Sequence, residues 1–204
     1  MDISPTKSNL LNVKASLELA KKGYELLDQK RNVLIREMMT LIDKAKEMEQ
    51  NINFIFKEAY EALQVANMTE GINTVENIAM SMAEAKDFTI LLRSVMGVEV
   101  PTVKYDKKAL EPSYSFFSTN NAFDIAVRKF QEVKYLVYEF AAIENTVYRL
   151  ATEIKKTQKR ANALHNIRIP EFTQTVKTIR SILDEQEREE YFRLKMVKRK
   201  KAGR

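Results

Sequence analysis

A chain of 204 residues with only four Gly, four Pro and 30% charged residues is unsuited to a loop-rich or sheet-rich fold; its mix of Ala, Glu, Lys, Leu and Arg at helical period is that of long helices and coiled coils. The absence of cysteine excludes disulfides and thiolate metal sites and suits a reducing compartment. The net charge of +6 sits in the last ten residues, KMVKRKKAGR, leaving residues 1–194 neutral overall, so it reports a basic tip and is poor evidence for a nucleic-acid-binding face.

The opening MDISPTKSNL has no apolar core for a signal peptide, and no run approaches the length of a membrane span. Ser4-Pro5-Thr6 reads as a helix start, with Ser4 as N-cap and Pro5 at the first helical position. The helix is expected to reach about Asn67. Stepping four and three residues at a time gives Leu10, Val13, Leu17, Ala20, Tyr24, Leu27, Arg31, Leu34, Met38, Leu41, Ala45, Met48, Ile52, Ile55, Ala59 and Ala62; of these only Arg31 is not apolar. A seven-residue repeat held this long predicts one helix with a narrow seam, supercoiled around a partner. At ~1.5 Å per residue the stretch extends about 80 Å, more than a compact domain of this length encloses, so a rod is expected. Gly23 inside the helix costs roughly 1 kcal/mol relative to alanine; it is either simply tolerated or marks a close approach of another backbone. Arg31 on the seam fixes register or marks where the coil opens.

Met68-Thr69-Glu70-Gly71 ends this helix. A shorter one is expected over Thr74 to Ala85, with Val75, Ile78, Ala79 and Met82 on one face. The period then changes to two extended runs, Phe88 to Val95 and Val98 to Tyr105, around Met96-Gly97. They read as a small β-hairpin, with Pro101 confining its strand to an edge. A lone ribbon is marginal in water and has to lean on the helices or a partner. Asp106 to Asn121, with Pro112, Tyr114, Phe116 and Phe117, reads as a loop.

A second long helix is expected from about Ala122 to Lys200. Its seam, Leu136, Phe140, Ile143, Val147, Leu150, Ile154, Thr157, Ala161, Leu164, fails at Arg168 and Glu171. It resumes one residue late at Phe172, Val176, Ile179 and Leu183. The slip coincides with Ile169-Pro170, where proline removes a helical hydrogen bond, and predicts a kink or local unwinding. The fold class is therefore mainly α: a long antiparallel two-helix coiled coil, residues 1–67 and 122–204, with a central insert, 68–121, holding a short helix and a hairpin. Bringing the chain termini together would set Arg31 near Thr175 and Gly23 near Arg180.

Catalytic chemistry has little to work with. His165 is the one histidine, which rules out a histidine-rich zinc centre or a Cys-His nucleophile. Four scattered glycines make no phosphate cradle, and the acids fall on helix faces as solvating or i,i+4 partners. No cofactor, metal or catalytic residue is expected, and the chain is not an enzyme by itself.

The ends of the chain carry a more specific pattern. Ser4-Pro5-Thr6-Lys7, Lys22-Gly23, Leu26-Leu27 and Lys30-Arg31 resemble the opening of the D subunit of the V-type and A-type rotary ATPases. Residues 153–157 (EIKKT), 160–164 (RANAL), Ile169-Pro170, Leu183, Glu185, Glu187-Arg188-Glu189 and Phe192-Arg193-Leu194-Lys195 resemble that family's C-terminal signature in order and spacing. Val95 to Val98 and Val100-Pro101 are similar to its insert. The resemblance implies a central rotor shaft whose termini end enters a hexameric head of A and B subunits. Its insert end binds the small F subunit and stands in the funnel-shaped subunit (C or d) on the membrane ring. Candidate partner-contact residues on that basis are Gly23, Lys30, Arg31, Val95, Gly97, Arg160, Asn162, Leu164, Pro170, Arg188, Glu189, Phe192, Arg193, Lys195, Lys198 and Arg199. The implied location is cytoplasmic and peripheral to the membrane, with no nucleic acid as partner.

Two other readings remain open at this level. A tethering coiled coil explains the heptads but not the slip at Pro170, and predicts a dimer in isolation. A nucleic-acid arm at the basic tip predicts steeply salt-sensitive binding. The γ-type shaft of the F-type enzymes needs a larger domain between its helices than this insert supplies.

Overall fold

The computed structural model describes residues 4–82, 87–107, 114, 115 and 119–202. Two long helical stretches flank a helix and a hairpin: α1 (Lys7–Glu70), α2 (Ile72–Ser81), β1 (Phe88–Val95), β2 (Val98–Tyr105), α3 (Asn121–Ala163) and α4 (Ile169–Ala202), with a π-turn, Leu164–Arg168, joining the last two. The chain divides into two compact units, Met1–Val33 with Ile154–Arg204, and Leu34–Glu153. All sixteen seam positions of α1 are buried or half-buried, Arg31 included, as a four-three stripe facing an antiparallel helix requires.

In the first unit, the start of α1 runs antiparallel to α4 and the end of α3. The contacts are Lys7 Nζ to Glu187 Oε1 at 2.9 Å, Tyr24 to His165 with ring centroids 5.0 Å apart, and Arg31 to Gln158 Oε1 at 2.7 Å. Val13, Ala20, Thr157, Ala161 and Ile179 are its buried residues. Two expectations are corrected here. The N-cap is Thr6 and not Ser4: the Thr6 carbonyl accepts the Leu10 N–H and its hydroxyl accepts that of Asn9, the geometry of a capping side chain. The register is also different, since Arg31 meets Gln158 where Thr175 was expected, and Gly23 meets Leu164 where Arg180 was expected. The chain ends are not aligned, because Lys7 at the start of α1 lies against Glu187 and α4 continues to Ala202.

The expected unwinding before Pro170 takes the form of the π-turn. The Ile169 N–H bonds to the Leu164 carbonyl, five residues back, so one extra residue is accommodated in the turn. Residues 165–168 are exposed, and the apolar stripe resumes at Phe172, Val176, Ile179 and Leu183, all buried or half-buried. A Cβ on Gly23 would meet only Leu164 Cδ1, at 3.6 Å, an ordinary contact, so no backbone packs closely there. Gly23→Ala is therefore expected to stabilise the chain by about 0.5–1 kcal/mol through helix propensity, read as a higher midpoint in urea unfolding.

In the second unit the seam continues through the fully buried Leu34, Ala59, Ala66 and Leu150. At the end of α1, Ala66, Val75, Tyr114, Phe123 and Ala126 form a small core, with Tyr114 edge-on to Phe123 at 4.9 Å. Val75, Ile78 and Met82 pack there as expected, but Ala79 is exposed and α2 ends at Ser81; Ala85 lies outside the described residues, as do Pro112, Phe116 and Phe117. Asn120 caps α3, its Oδ1 accepting the N–H groups of Ala122 and Phe123, while its own N–H donates to Glu70 Oε1 and its Nδ2 to Thr69 Oγ1. One side chain thus starts α3 and fastens it to the end of α1. Gly71 at φ 90° makes the break between α1 and α2 that an L side chain resists.

The hairpin follows the expected strands residue for residue. Val95 pairs with Val98 and Phe88 with Tyr105. Met96 and Gly97 both have positive φ, 51° and 77°, the signature of a type I′ turn whose twist matches that of the strands. The ribbon leans on α3, with Val98 and Val100 buried and polar ties along its length. Lys134 Nζ sits 2.7 Å from Asp87 Oδ2, Arg149 Nη1 donates to the Glu99 carbonyl at 3.0 Å, and Tyr105 donates to Glu139.

The tie at Asp87 has a pH signature. The Lys134 hydrogen bond holds the Asp87 carboxyl below its ordinary range despite burial. Burial opposes the Lys134 charge, but the bond and charge of Asp87 outweigh it and raise the ammonium. A depressed carboxyl contributes stability above its unfolded pKa of about 4 that is lost as pH falls through the lower folded value; a raised lysine loses its share only above about 10.5. Asp87→Asn is therefore expected to flatten the acid limb of a plot of melting temperature against pH between about 2 and 5.

Candidate partner-docking surfaces

Three exposed regions collect the candidate contact residues. The first is the end of α4. With Lys7 at the level of Glu187, the rest of α4 continues past the start of α1 as a single helix, and every described residue from Asp184 onward is exposed. Arg188, Glu189, Phe192, Arg193, Lys195, Lys198 and Arg199 all lie on it. Phe192 is 67% exposed, and Tyr191, Leu194, Met196 and Val197, which are not among the individually named candidates, are open as well. Arg193 reaches Glu189 at 3.3 Å, an exposed i,i+4 pair that contributes little. A helix end of alternating aromatic, aliphatic and cationic side chains can fill apolar pockets and meet carboxylates.

The second region surrounds the π-turn. Arg160, Asn162 and Pro170 are exposed, while Gly23, Lys30, Arg31 and Leu164 are half-buried. Arg31 is held in place by Asp28 at 2.5 Å and Gln158, and Gln158 in turn donates to Asn162 at 2.7 Å. Four of the candidates therefore serve the coil itself: Arg31 as a polar layer that fixes register across the seam, Asn162 as an end of that chain of bonds, and Gly23 and Leu164 as packing neighbours. On the same unit Leu11, Leu19 and Leu26 are 65–73% exposed, an off-seam stripe hidden in the sequence by the stronger repeat beside it.

The third region is the hairpin. Val95 is half-buried beside the turn and Gly97 is exposed at it. The larger surface lies on β1, where Phe88, Ile90, Leu91 and Leu92 are all more than 40% exposed. Reading the run as extended placed the strand but not its outward face. Near its root, Tyr105 is pushed up to about 12 by its hydrogen bond to Glu139 and by burial. Among the described residues no helix is long and apolar enough to cross a membrane.

The family profile described as the D subunit of ATP synthase matches residues 9–199. The V-type ATP synthase D subunit of Thermotoga neapolitana is 46% identical over 202 residues, covering 99% of this chain and 100% of the relative. The A-type ATP synthase D subunit of Desulfurococcus sp. is 40% identical over 97% of this chain and 94% of its own length. That of Thermococcus gammatolerans is 41% identical with the same coverage. A coiled coil interrupted by a π-turn before Pro170, a hairpin insert and an overhanging basic helix end occur here in a chain matched almost end to end, and the chain belongs to the family of ATP synthase D subunits.

Proposed function

We propose that this chain is the central rotor subunit of a V/A-type ATPase, transmitting torque between a catalytic hexamer of A and B subunits and the ion-translocating ring in the membrane. It contributes no catalytic group; ATP hydrolysis or synthesis takes place on the head, and this rotor couples it to ion transport. The observation that carries the reading is the end of α4, which runs past α1 as a lone helix with its aromatic, aliphatic and basic side chains in solvent. Such an end is the part that enters the head, and the insert end is the part that meets the F subunit and the funnel-shaped subunit on the ring. Residues 88–105 lie toward that stalk and modulate the hydrolysis rate.

Coupling by this means has a simple physical requirement. Three chemically identical sites adopt different conformations only if each receives different contacts. An asymmetric helix end presents a different face to each of them.

The chain has no cysteine, so Glu99→Cys places a unique handle on exposed strand beside the turn, away from the positive φ of Gly97. With the head immobilised and a bead on that cysteine, ATP is expected to drive rotation in one direction. Continued hydrolysis with only Brownian motion of the bead overturns the proposal, as does a stable homodimer of the isolated chain, which is the outcome for a tethering coiled coil.

A further inference from the structure

The two edges of the hairpin are treated differently. Across a two-residue turn the flanking residues form a hydrogen-bonded pair and the bonding then alternates. With Val95 paired to Val98, the residues of β1 that bond to β2 are Thr89, Leu91, Arg93 and Val95. The N–H and C=O groups of Phe88, Ile90, Leu92 and Ser94 point away from β2. On β2 the outward set is Glu99, Pro101, Val103 and Tyr105. That edge is blunted toward the turn: the Glu99 carbonyl accepts Arg149, and Pro101 has no N–H to leave unpaired, so it breaks no ladder bond.

The β1 edge has no such protection. Among the described residues the sheet has two strands, and the outward row carries no proline or lysine, the usual devices that blunt an edge. Phe88, Ile90 and Leu92, on one face of that edge, are 43%, 59% and 61% exposed. Thr89, Leu91 and Arg93 share the other face, next to Lys104 across the ladder. The ribbon contributes two cations to that face, Arg93 and Lys104; Glu37 of α1 borders the cleft beside Arg93, and Asp87 and Asp106 border Lys104, yet Arg93 makes no hydrogen bond or ion pair among the described residues.

We infer that β1 is completed by a third strand from another subunit of the same assembly. An unpaired row of backbone donors and acceptors is matched residue by residue only by another extended backbone. The charges define its side chains: apolar residues against Phe88, Ile90 and Leu92, and a carboxylate on the opposite face against Arg93. A second copy of this chain is the poorer occupant, because its β1 would bring Arg93 with no acid. The inference rests on the proposed membership of a working complex and names the surface and the mode of one of its contacts.

The test is hydrogen exchange at single-residue resolution on the full-length chain alone and in the assembled complex. In the isolated chain the amides of Leu91 and Arg93 are expected to be protected and those of Ile90, Leu92 and Ser94 to exchange freely. In the complex the outward three are expected to slow by about 100-fold or more. Ile90→Pro removes one outward N–H and leaves the β1–β2 ladder intact, checked by continued protection of Leu91; it is expected to weaken assembly at least about tenfold. Ile90→Thr keeps the N–H and is expected to cost less than about threefold, on the scale where tenfold is the loss of a good contact. A chain that enters no complex overturns both this inference and the proposed function. Entry with the outward amides exchanging as in isolation overturns this inference alone. So does equal weakening by both variants, which means a cover of side chains without strand pairing, or a dimer of the isolated chain that Ile90→Pro dissolves.

Discussion

Leu150→Ala is expected to cost about 2–5 kcal/mol of stability, the range for emptying a site from which the surroundings cannot collapse. Leu150 is 1% exposed and Leu34, also on the seam of that unit, is 0% exposed. A two-helix seam is only one side chain thick, so the void has few neighbours able to move into it. The measurement is the urea midpoint of the full chain. Leu150→Met, which nearly conserves volume, is expected to stay within about 1.5 kcal/mol. Equal midpoints for the alanine variant and the parent would mean that the seam does not hold the fold.

Removing residues 195–204 is expected to have the opposite profile. These residues are exposed where described, so the melting temperature of the isolated chain should move by less than the equivalent of about 0.5 kcal/mol. Coupled ATP turnover of the reconstituted complex is expected to fall at least about tenfold, as for a loss of about 1.4 kcal/mol of docking free energy. Replacing Lys195, Lys198 and Arg199 together by glutamine separates charge from shape. If charge dominates, this variant matches the truncation at low salt and the parent loses activity as salt rises. Unchanged assembly and coupling after truncation would place the docking surface elsewhere.

These expectations depend on how far the chain could be read. The seam was legible because it obeys one period for sixteen positions, and every one of them is buried or half-buried. The hairpin was legible because β-branched runs meet at Met96-Gly97, and its boundaries fell where expected. Single-residue decisions were less legible. Thr6 caps α1 because it directly precedes Lys7 and its hydroxyl accepts the Asn9 N–H, while the Ser4 hydroxyl takes the Asn9 side-chain amide; both residue types satisfy the rule. The register in the first unit was misread because it shows itself in Arg31 meeting Gln158 and Gly23 meeting Leu164, contacts between residues far apart in the chain with no sequence signature. The candidate contact residues near Gly23 and Asn162 came with the family pattern, and part of that pattern serves the coil itself.

The wide turn between Leu164 and Arg168 acts as a shim. One surplus residue in a regular helix would rotate everything after it by about 100° and carry Phe172, Val176 and Ile179 off the seam. Lodged in a π-turn, the surplus is absorbed locally and the stripes on either side stay in phase. Taking one residue out of 165–168 should therefore return a plain α-helix with its seam unbroken. The same deletion a few turns away would throw the following stripe into solvent, so this is the place in the helix where chain length is adjustable.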